Sequence, residues 1–151
     1  MKLFKFLTLT SALLLSTLTQ AATLTIEDAY VRATPPHTVN SAAFMQIYNS
    51  SDTTVELVSA SSDIADRVEL HSHTMNDGMM QMRQVKSITI NANASAELRP
   101  GSFHVMFLGL KSPLTEGEAI NLKLYFNNGD EIVIDVPIKK ITMQKKMKHT
   151  H

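Results

Sequence analysis

From Leu24 onward, apolar and polar residues alternate in short runs, and clusters of turn-forming residues cut the runs apart. A period of two sends successive side chains to opposite faces of an extended chain, which marks a half-buried strand. The pattern predicts strands over Leu24 to Arg32, Ala43 to Tyr48, Val55 to Ser61, Arg67 to His71, Met79 to Val85, Ile88 to Ile90, Ala96 to Leu98, His104 to Leu108, Ala119 to Phe126 and Glu131 to Val136. Between them stand Pro35-Pro36, Asn49-Ser50-Ser51-Asp52, Asn76-Asp77-Gly78, Arg99-Pro100-Gly101 and Asn127-Asn128-Gly129-Asp130. Glycine accepts positive φ there, proline fixes φ, and Asn and Asp bond to the local backbone. The clearest hairpin joins Leu122 to Phe126 with Ile132 to Val136, burying Leu122, Leu124 and Phe126 on one strand with Ile132 and Ile134 or their neighbours opposite. Many short strands with no long 3.6-residue periodicity predict an all-β sandwich or barrel in a single domain.

The two ends differ from this middle. Lys2 and Lys5 precede the apolar run Leu13-Leu14-Leu15, and the small residues Ala21 and Ala22 follow. That is the layout of a secretory signal peptide, with cleavage expected after Ala21 and a mature chain starting near Ala22. An uncleaved anchor is the weaker alternative because the apolar run is short for a bilayer. The chain has no cysteine to carry a lipid after that run, so a lipid anchor is not expected. Residues 139–151 alternate lysines with Met143, Met147, His149 and His151, and read as a flexible tail. The expected organisation is a signal peptide over 1–21, a β domain over 22–138 and the tail over 139–151.

Charge narrows the partners. Losing the signal removes Lys2 and Lys5 and no acid, which leaves twelve basic against fourteen acidic side chains. That balance argues against nucleic acid or an anionic membrane as a main partner, and no stable membrane insertion of the mature chain is expected. Without cysteine, stability has to come from packing, and any metal must bind without thiolate.

The candidate chemistry lies in histidine and methionine. His71 to Met82 packs two imidazoles and four thioethers into twelve residues around a turn. A lone histidine at a strand end is ordinarily a surface residue, and methionine is ordinarily a gap filler. On that plainer view Met80 and Met82 face a core and Met79 faces out. It does not account for Met75, placed in a loop with no core to fill and open to oxidation. Downstream, Phe103, Val105 and Phe107 alternate with His104 and Met106, so one strand presents a nitrogen and a sulfur on the same face. Neutral imidazole and thioether make a soft set that suits Cu(I) better than Zn(II), Ca(II) or Mg(II). A blue-copper site would need a cysteine.

The spacing then carries a likeness. Ten residues separate His71 from Met82, twenty-one separate Met82 from His104, and one separates His104 from Met106. Ala29-Tyr30-Val31-Arg32-Ala33-Thr34-Pro35-Pro36, Val68-Glu69-Leu70-His71, Arg99-Pro100-Gly101 and Gly109-Leu110-Lys111-Ser112-Pro113-Leu114 accompany it. In these features the chain resembles the periplasmic copper chaperones of the PCuAC family, formerly DUF461, over most of its mature length. The resemblance implies a cupredoxin-like Greek-key β-barrel in which His71, Met82, His104 and Met106 bind Cu(I). It also implies periplasmic delivery of that ion to a copper-accepting protein, a cytochrome oxidase subunit or another assembly chaperone, toward the CuA centre of cytochrome c oxidase. The chain departs from the common pattern at His73, where relatives often have methionine. His73, Met75, Met143, Met147, His149 and His151 are auxiliary ligand candidates, with Cu(II) held through the additional histidines. Three other readings compete: a periplasmic copper buffer for tolerance, a copper oxidase or dismutase, and a metal-free β-sandwich interaction module. No coordinated acid/base pair, serine nucleophile motif or bridging-histidine array supports an enzyme.

Overall fold

The computed structural model describes residues 23–141; the expected signal peptide and Met143, Met147, His149 and His151 lie outside the described residues. Ten strands form where the alternation places them: β1 (Leu24–Arg32), β2 (Asn40–Asn49), β3 (Val55–Ser61), β4 (Ala65–Asn76), β5 (Met79–Gln84), β6 (Ile88–Ile90), β7 (Ala94–Leu98), β8 (His104–Leu110), β9 (Ala119–Phe126) and β10 (Glu131–Lys139). No helix occurs among the described residues. The strand order is β5-β4-β8-β2-β1-β10-β9-β3-β6, with β7 also paired to β2. Every pairing is antiparallel except β1 with β10, where Val31 and Arg32 face Ile138 and Lys139. That short parallel seam joins two antiparallel layers around one core.

Alternation explains what fills the core. Val105 and Phe107 of β8, Ile47 of β2, Leu57 of β3 and Leu122 and Leu124 of β9 are all wholly buried. At about 25 cal/mol per Å² of apolar surface, each such side chain contributes roughly 1.5–3 kcal/mol. The β9–β10 hairpin forms in the expected register, with Leu122 opposite Ile134 and Leu124 opposite Ile132.

One expectation fails in a useful way. The segment after His71 was expected as a polar loop, yet β4 runs on to Asn76, so Met75 lies in a strand. Its polar sequence hides the strand because, past the buried Ser72, neither face of this stretch enters the core. What fixes it is the partner: Asp77 and Gly78 adopt φ of 50° and 77°, the two left-handed residues of a tight type I′ hairpin, and β5 folds back along β4. This places Met80 and Met82 in the open, against the expectation that they face inward under a core-filling role.

Candidate metal centre

The site occupies the outer face of the layer β5-β4-β8-β2. Leu70 of β4 and Val105 and Phe107 of β8 point to the core, so Glu69, His71, His73 and Met75 of β4 share the opposite face with His104 and Met106 of β8. Register brings them together. His71 pairs with His104, Glu69 with Met106, His73 with Met82, and Met75 with Met80. Ala42 of β2 sits opposite Met106, where its methyl leaves room for longer neighbours.

Three imidazoles form the centre of the cluster. The His104 ring centroid lies 5.8 Å from that of His71 and 5.2 Å from that of His73, and the Phe44 ring closes the far side at 6.2 Å. Under this cover His104 is only 1% exposed although it stands on the sheet's outer face.

Hydrogen bonds assign the ring protons. His104 Nδ1 lies 3.1 Å from the Ser102 carbonyl oxygen, which can only accept, so Nδ1 carries the proton and Nε2 keeps its lone pair. His71 Nε2 lies 2.8 Å from Glu69 Oε2, another pure acceptor in its ionised form, so His71 presents Nδ1 instead. Arg67 Nη1 donates to the other carboxylate oxygen of Glu69 at 3.0 Å and holds it in place. His71 Nδ1, His73 Nδ1 and His104 Nε2 are all buried and have no hydrogen-bond partner. Stranding a buried polar atom costs about 1–3 kcal/mol, so three on one face form a standing cost that a ligand can offset. Burial pushes the His104 pKa below the ordinary histidine value; the Ser102 carbonyl pulls it up, while His73, His71 and Arg32 push it further down. The ring is therefore neutral at neutral pH, with a lone pair to donate.

The expected ligands are not equally close. His71, His104 and Met106 meet through adjacent register positions. Met82 stands on the other side, opposite His73 and 46% exposed. Two strand spacings and four residues of rise separate its backbone from that of Met106, roughly 16 Å along the sheet. The structure thus places His73 nearer to His104 than the sequence suggested, and Met82 further from Met106. Among the described residues no three His, Cys, Asp or Glu side chains are arranged to hold a metal ion by themselves. Glu69 was not singled out from the sequence; only the Glu-x-His spacing on one strand, which puts both on one face, could have pointed to it.

Comparison with known proteins agrees with this architecture. A family model described as "Putative lipoprotein LpqE-like" matches residues 24–138. "Putative lipoprotein Lxx21020" of Leifsonia xyli subsp. xyli is 33% identical over 121 residues, which span 80% of this chain and 72% of that protein. The solution structure of apo-DR1885 from Deinococcus radiodurans is 32% identical, with a TM-score of 0.63 over 93% of this chain and 95% of that one. Its CuI form is 35% identical over 76% of each chain, again at a TM-score of 0.63. The copper-bound PCuAC domain from PmoF2, at 20% identity, shares the fold with a TM-score of 0.68 over 80% of this chain and 95% of that domain. Matched along its whole β domain, the chain belongs to the LpqE-like (DUF461) family, the PCuAC group that its histidine and methionine spacing resembles.

Proposed function

We propose that this protein is an exported copper carrier that holds Cu(I) through His71, Met82, His104 and Met106, the β4–β5 hairpin bending inward to bring Met82 to the other three, and passes it to an accepting protein. The single observation that carries the proposal is the set of buried, unpartnered imidazole nitrogens on the face that also bears the two methionines. Nitrogen and thioether sulfur are neutral and soft, so the set favours Cu(I) over harder ions. Among the described residues no three His, Cys, Asp or Glu side chains are arranged to hold a metal ion, and the thioether sulfurs on the same face supply the remaining donors in this reading. The copper-bound PmoF2 domain and the CuI form of DR1885 share the fold, which supports copper as the cargo.

Carriage rather than catalysis follows from the donor set. A site without thiolate holds cuprous ion less tightly than a pair of cysteines, and half-exposed Met82 offers a ligand that an acceptor can replace first. Copper stays monovalent throughout; one metal–sulfur bond forms as another breaks. The recipient in this proposal is a cytochrome oxidase subunit or an assembly chaperone that supplies the CuA centre. The compartment is the periplasm, reached after cleavage behind Ala21. No helix among the described residues is long and apolar enough to cross a membrane.

Anaerobic titration with Cu(I) and with Zn(II), on the wild type and on Met82→Leu and Met106→Leu, tests the proposal. The expected result is one tight Cu(I) equivalent, weakened in both variants, with zinc binding unchanged between them. Equal loss for zinc, or no loss of Cu(I) affinity in either variant, would contradict it.

A further inference from the structure

Four methionines crowd the β4–β5 hairpin, and three of them, Met75, Met79 and Met80, stand outside the four-residue set. Met75 and Met80 are 72% and 63% exposed, so neither fills a core. They are direct cross-strand partners one turn from the hairpin tip, which puts their Cβ atoms about 5 Å apart on the same face as His73, Met82 and His71. The type I′ turn at Asp77-Gly78 pins that register. Met80 also leans toward the histidines. Its ε-methyl comes within 3.8 Å of where a Cβ on Gly101 would stand, above the turn whose Ser102 carbonyl holds His104 Nδ1 and accepts from the His73 backbone N–H.

Along this face exposure falls step by step. Met75 and Met80 lie at the tip, Met82 is half-exposed beside His73, and His104 is closed off beyond them. Sulfur atoms thus lead from solvent to buried nitrogen. Met79 is as exposed as Met80, at 64%, but pairs with Asn76 and points to the opposite face.

We propose that Met75 and Met80 form a separate thioether station for a soft monovalent ion, Cu(I) or Ag(I), where cargo waits on its way into or out of the histidine site. The proposal rests on the carrier function above. Two neutral sulfurs offer weak, labile coordination, which suits a waiting place and not a store. Ion passage is a ligand exchange in which Met82 takes the ion from the Met75–Met80 pair, or returns it, with no change of oxidation state. An apolar docking patch for a partner protein would also expose methionine, but it would not need sulfur.

The test is a titration of the purified protein with Ag(I), a redox-inert soft ion, followed through the ¹³C ε-methyl signals of every methionine and the imidazole signals of His71 and His104. The expected first equivalent moves the imidazoles; further silver then moves Met75 and Met80 together while Met79 stays still. In a Met75→Leu/Met80→Leu variant the imidazole phase persists, and the silver bound beyond the first equivalent, read by equilibrium dialysis, falls by one equivalent. Met75 and Met80 signals that stay unmoved through excess silver, or that move no more than Met79, overturn the station and leave a docking patch. A first equivalent that bypasses both imidazoles overturns the carrier site, while the hairpin response is still read separately from its own methyls.

Discussion

Replacing His104 with leucine should remove copper binding without unfolding the protein, and the magnitude follows from the bonds the ring makes. Leucine is close to histidine in volume and has no lone pair to strand. The substitution forfeits the Nδ1–H bond to the Ser102 carbonyl, worth about 0.5–1.5 kcal/mol. It relieves the unpartnered Nε2, a gain of about 1–3 kcal/mol. The metal-free variant should therefore lie between about 0.5 kcal/mol less stable and about 2.5 kcal/mol more stable than the wild type. For a chain of this size each kcal/mol moves the melting temperature by about 3–5 °C. The loaded protein tells the other half: at free Cu(I) near a thousand times Kd the wild type gains about 4 kcal/mol, and the variant should gain almost none. Anaerobic denaturant melts with and without chelator-buffered Cu(I) measure both quantities. A metal-free loss above about 2 kcal/mol, in the range of ordinary core truncations, would show that His104 is a structural residue and refute the reasoning.

Other consequences follow from the same contacts. Glu69→Ala frees the His71 ring to take the wrong tautomer and should weaken Cu(I) affinity about 10–100-fold in competition with a chromophoric chelator; unchanged affinity would remove Glu69 from the site. His104 has a folded pKa below its unfolded value, so the unfolded state takes up the proton first. Metal-free stability should hold steady above about pH 6.5 and decline as pH falls below it, and that decline should shrink in His104→Leu; urea midpoints across pH 4.5–7.5 would show whether it does. Gly78→Ala meets no steric obstacle, since nothing lies within 4 Å, but forces a Cβ onto φ of 77°. It should loosen the hairpin by about 1 kcal/mol, visible as faster amide exchange confined to β5 and the end of β4.

Strand positions were legible because the core reads one face of each strand, and the same rule placed His104 and Met106 together. Whatever depends on register was not. The polar stretch Ser72 to Asn76 carries no apolar alternation, so its strand is held by its pairing with β5 and by the His73 N–H bond to the Ser102 carbonyl. That pairing sets Met82 opposite His73 and not His71, which sequence spacing cannot reveal. The parallel seam of β1 with β10 joins segments more than a hundred residues apart and leaves no local trace. Glu69 was hidden for a related reason: a carboxylate two residues before a histidine is common, and its proton-fixing role appears only when the hydrogen bond is seen.

In the proposed site two imidazoles and two thioethers hold one cuprous ion on the outer face of this sheet. X-ray absorption at the copper edge of the anaerobic, singly loaded protein settles this, with Met82→Leu/Met106→Leu as the comparison, both proteins carrying Met75→Leu and Met80→Leu so that the hairpin pair supplies no sulfur. The expected shell is two nitrogens and two sulfurs, with the sulfur lost once Met82 and Met106 are replaced. A shell of nitrogen and oxygen alone with Met82 and Met106 in place, or sulfur that persists without them, would contradict it.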